Sequence, residues 1–208
     1  MRLGVLGGTF DPPHVGHLVL AEEARTRLRL EKVIFVPAGD PWRKAGEEVT
    51  PAEHRLAMAR LMVAGDPYFE VSTMEVERPG PSYTVDTLET LRRQHGPGLE
   101  LYFIVGEDAL HDLPRWKDPS RILSLARLAV APRPHGSEVA EADLDAAVPG
   151  LSERITPLPM PTIDISSTAL RERARAGLSL RYLVPLAVEE YVRRYGLYTG
   201  NREPGSRK

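Results

Sequence analysis

The N-terminal segment constrains the fold most. Arg2 to Leu6 is a short apolar run that opens directly into Gly7-Gly8, after which Val15, Leu18, Ala21, Ala24 and Leu28 recur at helical spacing. A strand that ends in glycines and leads into a helix is a phosphate site by construction. Glycine lets the backbone approach oxygens closely, and the helix N-terminus presents free N–H groups and a partial positive charge. Such a unit belongs in a parallel sheet covered by helices.

The rest of the chain continues the alternation. Lys32 to Val36 is a second apolar run, stopped by Pro37, and further strands are expected at Phe69–Val76, Leu101–Val105, Arg127–Ala131 and Arg154–Leu158. Thr50-Pro51-Ala52-Glu53 reads as a capping box for a helix that stops at Gly65. Ser82 is expected to cap a helix carrying Val85, Leu88 and Leu91. Ser167–Arg175 and Pro185–Arg194 read as two more, each followed by glycine. Ala38–Val49 and Arg133–Gly150 read as loops, the second around a weak acidic helix. The expectation is one doubly wound, Rossmann-like α/β domain over residues 1–198, with a small helical C-terminal end from about residue 166. The polar residues 199–208 read as a disordered tail.

At 208 residues the chain fits one such domain, and 42% hydrophobic with 27% charged residues is ordinary for a soluble enzyme. No apolar run approaches the roughly 20 residues of a membrane span, and the N-terminus does not read as a signal peptide. The chain has no cysteine, which excludes disulfides, thiolate metal sites and a cysteine nucleophile. A cytoplasmic location is the default expectation. A net charge of -2 argues against a general nucleic-acid binder, but leaves room for a polyanionic small substrate.

Gly7-Gly8 matches neither the G-x-G-x-x-G of dinucleotide-binding dehydrogenases nor the G-K-[ST] of a P-loop. His14 and His17, three apart at the helix start, share one face, and Gly16 between them is expected to keep it open. An imidazole near a triphosphate has its charged form favoured by the anions and can donate hydrogen bonds to phosphate oxygens. A tight turn with two surface histidines is one alternative. A zinc pair is another, for which no third ligand of suitable spacing is evident.

Gly7 to His17 resembles the H-x-G-H signature of the nucleotidyltransferase superfamily, in the extended form of bacterial nicotinate-nucleotide adenylyltransferases. The resemblance runs across about 195 residues. It implies ATP contacts from Gly7, Gly8, Thr9, Phe10, His14, Gly16 and His17. Ile165-Ser166-Ser167-Thr168-Ala169-Leu170-Arg171 resembles the family's I-S-S-T-x-x-R segment, which implies that Ile165, Ser166, Ser167, Thr168 and Arg171 hold ATP phosphates. A helix start with hydroxyls and an arginine one turn on is an anion site in its own right, although alone it reads equally as an ordinary cap. Gly106-Glu107-Asp108 resembles a G-x-D near the ATP ribose, implying Gly106 and Asp108. Gly80 to Thr87 resembles G-P-S-Y-T-x-D-T, which implies that Ser82, Tyr83 and Thr84 receive nicotinate mononucleotide at a helix N-terminus. Trp116 matches a tryptophan that stacks on the pyridine ring, against the alternative of plain core.

Two departures stand out. Where the family shows P-P-H-K, this chain reads Pro41-Trp42-Arg43-Lys44, so Lys44 is in place and Arg43 replaces a histidine. Lys117 follows Trp116 where tyrosine is common, which puts one side-chain contact to the pyridine nucleotide in doubt. His54, His95, His111 and His135 match nothing catalytic and read as surface residues.

The resemblance implies transfer of AMP from ATP to nicotinate mononucleotide, with His17 on the α-phosphate, His14 in support, and Lys44 and Arg171 on phosphates. Magnesium would ride mainly on ATP oxygens, with no metal site of the protein's own. The alternatives are nicotinamide-mononucleotide or phosphopantetheine adenylyltransferase, or a non-catalytic nucleotide sensor. A class I aminoacyl-tRNA synthetase is disfavoured by the lack of K-M-S-K-S and of room for a tRNA-binding domain.

Overall fold

The structure, a computed structural model, describes residues 1–44, 46–132 and 141–199. Six parallel strands form one sheet in the order β3-β2-β1-β4-β5-β6. The strands are β1 (Arg2–Gly8), β2 (Lys32–Pro37), β3 (Phe69–Val71), β4 (Glu100–Gly106), β5 (Arg127–Ala131) and β6 (Ile155–Pro157). β1 lies at the centre, with Leu3 beside Lys32 on β2 and beside Leu101 on β4. The chain order reverses between β1 and β4. In open α/β sheets a ligand crevice forms outside the carboxyl ends of the strands at such a switch point.

Strand alternation divides the core in two. Leu3, Val5, Leu101 and Phe103 point to one face, against α3 (Thr84–His95), α5 (Pro119–Leu125) and α6 (Glu141–Ala147). Leu6, Val33, Phe35 and Ile104 point to the other, against α1 (Val15–Leu28), α2 (Ala52–Val63), α7 (Ser167–Arg175) and α8 (Leu186–Tyr195). A short helix, α4 (Glu107–His111), follows β4 directly. Each fully buried leucine or phenylalanine contributes about 1.5–3 kcal/mol by leaving water. β1 is held tightly enough that a Cβ at Gly4 would lie 2.8 Å from Leu30 and 2.9 Å from Ile104.

Several sequence expectations are corrected. β3 stops at Val71 rather than Val76, because after Ser72 donates its N–H to Phe35 the chain turns and carries Glu75 inward. Thr50 does not cap α2: its N–H donates to Asp11 Oδ2 at 3.1 Å and its carbonyl accepts from Arg55 Nε at 2.7 Å. Ser82 does not cap α3 either. Its Oγ accepts from the N–H groups of Gly39 (2.9 Å) and Asp40 (3.3 Å), fastening the β2–α2 loop. In both cases tertiary partners took the hydroxyl or amide that a local cap would have used. His54 is half-buried and meets the Tyr191 hydroxyl at 2.9 Å, joining α2 to α8. The acidic helix of the expected loop is α6. Residues 133–140, with His135, and residues 200–208, where a tail is expected, lie outside the described residues. Among the described residues no helix is long and apolar enough to cross a membrane.

Candidate active site

A cavity of about 400 Å³ opens at the carboxyl ends of β1 and β4. Gly7, Gly8 and Thr9 line it from β1, Lys44 from the β2–α2 loop, Thr84 from the α3 N-terminus, and Trp116 from beyond α4. Ser82 lines it as well. Expected residues of both halves therefore meet around one space. His14, Gly16, His17 and the Ile165–Arg171 segment do not line it. They adjoin it across the β1–α1 loop, where Ser167 Oγ donates to the Pro12 carbonyl at 2.8 Å and Arg171 Nη1 to that of Asp11 at 2.8 Å.

The two histidines form one unit. His14 is the N-cap of α1, and its backbone N–H donates to Nδ1 of His17 at 3.1 Å. With Nδ1 accepting, the neutral ring carries its proton on Nε2. The rings stack with centroids 3.7 Å apart, and Phe10 packs edge-on against His17 at 5.0 Å. Burial pulls the pKa of His14 down to about 4. Burial, and then the neighbouring His14, hold that of His17 well below the ordinary histidine value. In the ligand-free protein, desolvation of the two stacked imidazoles therefore favours their neutral forms, while the charged form expected of an imidazole beside a triphosphate concerns the bound state. Nδ1 of His14 is buried without a hydrogen-bond partner. Gly16 also has a packing reason. A Cβ there would lie 3.0 Å from His14 Nδ1, so the glycine makes room for that ring.

The Phe10 side chain is a pillar of the core. The residue is 2% exposed, holds φ at 52°, and packs under Gly8 and against Phe35. A bulky residue in the left-handed region costs about 1–3 kcal/mol and persists only where packing imposes it. Ser166 caps α7, its Oγ accepting from Ala169 N–H at 3.2 Å, so the ordinary-cap reading holds for that residue. Arg171 also donates Nη2 to Thr168 Oγ1 at 3.3 Å. Gly106 is the N-cap of α4, and Asp108 in its first turn acts electrostatically on Arg43. Tyr83 is the N-cap of α3, with Trp42 6.1 Å from its ring.

Three groups that the sequence did not single out organise the site. Arg55, 1% exposed, donates to four carbonyls: Thr50, Thr9 (2.9 Å), Ala38 (2.6 Å) and Gly39 (3.0 Å). It ties the β1–α1 loop to the β2–α2 loop. Asp11, equally buried, accepts from Thr50 N–H and, at 2.5 Å, from the Tyr198 hydroxyl. Glu75 lines the cavity and accepts from Thr87 Oγ1 at 2.5 Å, and burial pushes its pKa up. A Cβ at Gly39 would run into the Glu75 carbonyl. No spacing rule marks such residues, since their partners are carbonyls and hydroxyls of distant loops.

The side of the cavity lined by Arg43, Lys44 and Trp116 is fastened by ion pairs. Arg43 pairs with Asp112 and lies over the Trp116 ring at 5.8 Å, while Lys44 lies 3.8 Å from Glu47. Trp116 packs edge-on against Phe103 at 5.8 Å, and its Nε1 is buried without a partner. Lys117 does not line the cavity. Its Nζ lies 3.1 Å from both Asp86 oxygens and 4.6 Å over the Tyr83 ring. Among the described residues, no group of three or more histidine or acidic side chains could hold a metal ion.

A family model described as cytidylyltransferase-like matches residues 5–173. The chain is 50% identical over 197 residues to the probable nicotinate-nucleotide adenylyltransferase of Thermomicrobium roseum, covering 95% of this chain and 91% of that one. It is 52% identical over 197 residues to that of Roseiflexus sp., covering 94% and 97%. The solved structure of Plasmodium falciparum nicotinic acid mononucleotide adenylyltransferase complexed with NaAD superposes with a TM-score of 0.77 at 18% identity, covering 95% and 97%. At that identity the likeness shows a shared fold.

Proposed function

The chain belongs to the cytidylyltransferase-like family and, within it, to the nicotinate-nucleotide adenylyltransferases, and on that premise we propose that it transfers AMP from ATP to nicotinate mononucleotide, giving nicotinate adenine dinucleotide and pyrophosphate. The observation that carries the substrate reading is the single cavity that joins the Gly7–Thr9 turn to the α3 N-terminus and Trp116. A phosphate-seeking turn, a second helix N-terminus and an aromatic face suit an acceptor carrying a phosphate, a carboxylate and a ring.

A phosphate monoester has a second pKa near 6, so the nucleophile is already mostly a dianion at neutral pH. It needs no general base and no covalent enzyme intermediate. Catalysis becomes alignment for in-line attack on the α-phosphorus together with charge stabilisation. In this reading the Nε2–H of His17 donates to an α-phosphate oxygen, and binding of that anion raises the pKa of the pair. The unpartnered His14 Nδ1 gains a partner in the same step. Lys44 meets phosphate from the β2–α2 loop. Arg171 braces the β1–α1 loop and turns its remaining N–H groups to the triphosphate, with Ile165, Ser166, Ser167 and Thr168 beside it. Gly106 and Asp108 border the ATP ribose, and Ser82, Tyr83 and Thr84 border the acceptor. Magnesium bound to the triphosphate supplies further charge neutralisation. A cytoplasmic setting belongs to the same reading.

Pyrophosphate release from ATP and magnesium, measured in parallel with nicotinate mononucleotide, nicotinamide mononucleotide and phosphopantetheine, tests the proposal. Turnover is expected with the first, and silence with all three from folded protein sinks it.

A further inference from the structure

Lys117 is the departure expected to bear on the pyridine ring, but it is turned to Asp86 and Tyr83. The other departure is the one in the cavity. Arg43 lines it, with its guanidinium 5.8 Å from the centre of the Trp116 ring. Resting on the acceptor reading above, we propose that Arg43 makes this pocket select the nicotinate over the nicotinamide form of the mononucleotide by charge.

The physical case concerns the net charge of the ring. A pyridine joined to ribose through its nitrogen is a fixed cation. Its 3-carboxylate makes the nicotinate ring neutral overall, whereas the 3-carboxamide leaves it at +1. For a pyridine ring held against Trp116, the nearby guanidinium therefore repels the amide form, and finds in the acid form a carboxylate to attract. Arginine keeps its charge in any protein environment, whereas a histidine at the same position would be largely neutral at pH 7. Burial draws the Arg43 pKa down only from its high ordinary value, and Asp108 opposes that shift.

The surrounding charges fit the same account. Lys44 faces Glu47, and burial pushes Glu75 toward its neutral form. Arg43 itself faces Asp112 and Asp108. Removing Arg43 would take one positive charge out of a cluster that keeps Asp108, Asp112 and Arg115, a change that favours the cationic amide. The 5′-phosphate is common to both acceptors, so any action of Arg43 or Lys44 on it cancels in the ratio of the two specificity constants.

The test is kcat/KM for both mononucleotides in wild type, Arg43→Gln and Arg43→Lys. Arg43 is partly exposed, at 41% of its side chain, so the variants are expected to fold, which a thermal melt checks. Arg43→Gln should lower the acid-to-amide ratio by about tenfold, as one partly screened charge at this range would. Arg43→Lys should keep most of the preference. A ratio in Arg43→Gln within twofold of wild type overturns the assignment, and so does an equal loss in Arg43→Lys, since charge is the claim. A wild-type protein inert toward both acceptors would instead remove the acceptor reading on which the assignment rests.

Discussion

The two sides of the cavity are built differently. On one side, for which ATP is proposed, the β1–α1 corner is held by buried groups bonded to backbone. Arg55 spans four carbonyls, Asp11 takes an amide and a phenol, and Phe10 supports the His17 ring. On the other side, proposed for the acceptor, Arg43, Lys44 and Trp116 are partly exposed and held by ion pairs and ring contacts. The reaction centre needs donors fixed before charge develops, because reorganising them during the step would cost the rate they supply. Recognition of a particular acceptor needs only the right sum of charges and surfaces. The first requirement suits a cross-braced corner, and the second tolerates partly exposed side chains such as Arg43.

If that contrast is right, the largest effect on stability comes from the brace. Arg55→Ala should destabilise the protein by about 3–5 kcal/mol, because it leaves several buried carbonyls without a donor. Urea unfolding measures this, and a loss below about 1 kcal/mol would mean the corner is not held as described. Next, His17→Ala should lower kcat by about 100-fold or more, the usual cost of losing one transition-state donor. A kcat near wild type removes His17 from the mechanism.

A third effect depends on pH. The pKa of His14 is lowered on folding from its ordinary 6.5 to about 4. A depressed histidine adds stability that is fully present above 6.5 and is lost as the pH falls toward 4, because below 6.5 the unfolded chain binds the proton that the folded chain refuses. Between pH 7 and pH 5 the ligand-free protein should lose about 2 kcal/mol from this group. The loss should be absent from a His14→Gln variant, and parallel pH curves for the two proteins would show that His14 is not held neutral. The smallest effect is expected at Lys117. Its pair with Asp86 is half exposed, so Lys117→Ala should cost under about 1 kcal/mol and leave the acid-to-amide ratio unchanged within twofold. A larger change in the ratio would return the selectivity to Lys117.

Much of the molecule follows from local signals. The apolar runs at Arg2, Lys32, Leu101 and Arg127 are strands with nearly the expected bounds, since a doubly covered parallel strand reads as a continuous hydrophobic run. The Gly7-Gly8 turn and the paired histidines stand out by residue type at fixed spacing, whereas Trp116 is marked only by the resemblance to a family. Errors fell where a residue has a distant partner: Thr50 and Ser82 look like caps, but are claimed by Asp11 and by the Gly39–Asp40 amides. Arg55 and Glu75 were invisible for the same reason.

The sequence alone therefore determined the sheet, the glycine turn at its centre, and the residue types available for the chemistry, from periodicity and short-range spacing. Only the tertiary structure decided that burial disfavours charge on the histidines and that they orient each other, that Arg171 braces the loop after β1, and that Arg43 rather than Lys117 lines the cavity. Protonation depends on burial, and a long side chain goes where its nearest opposite charge or carbonyl lies. Both are set by residues far apart in the chain, which no local pattern can report.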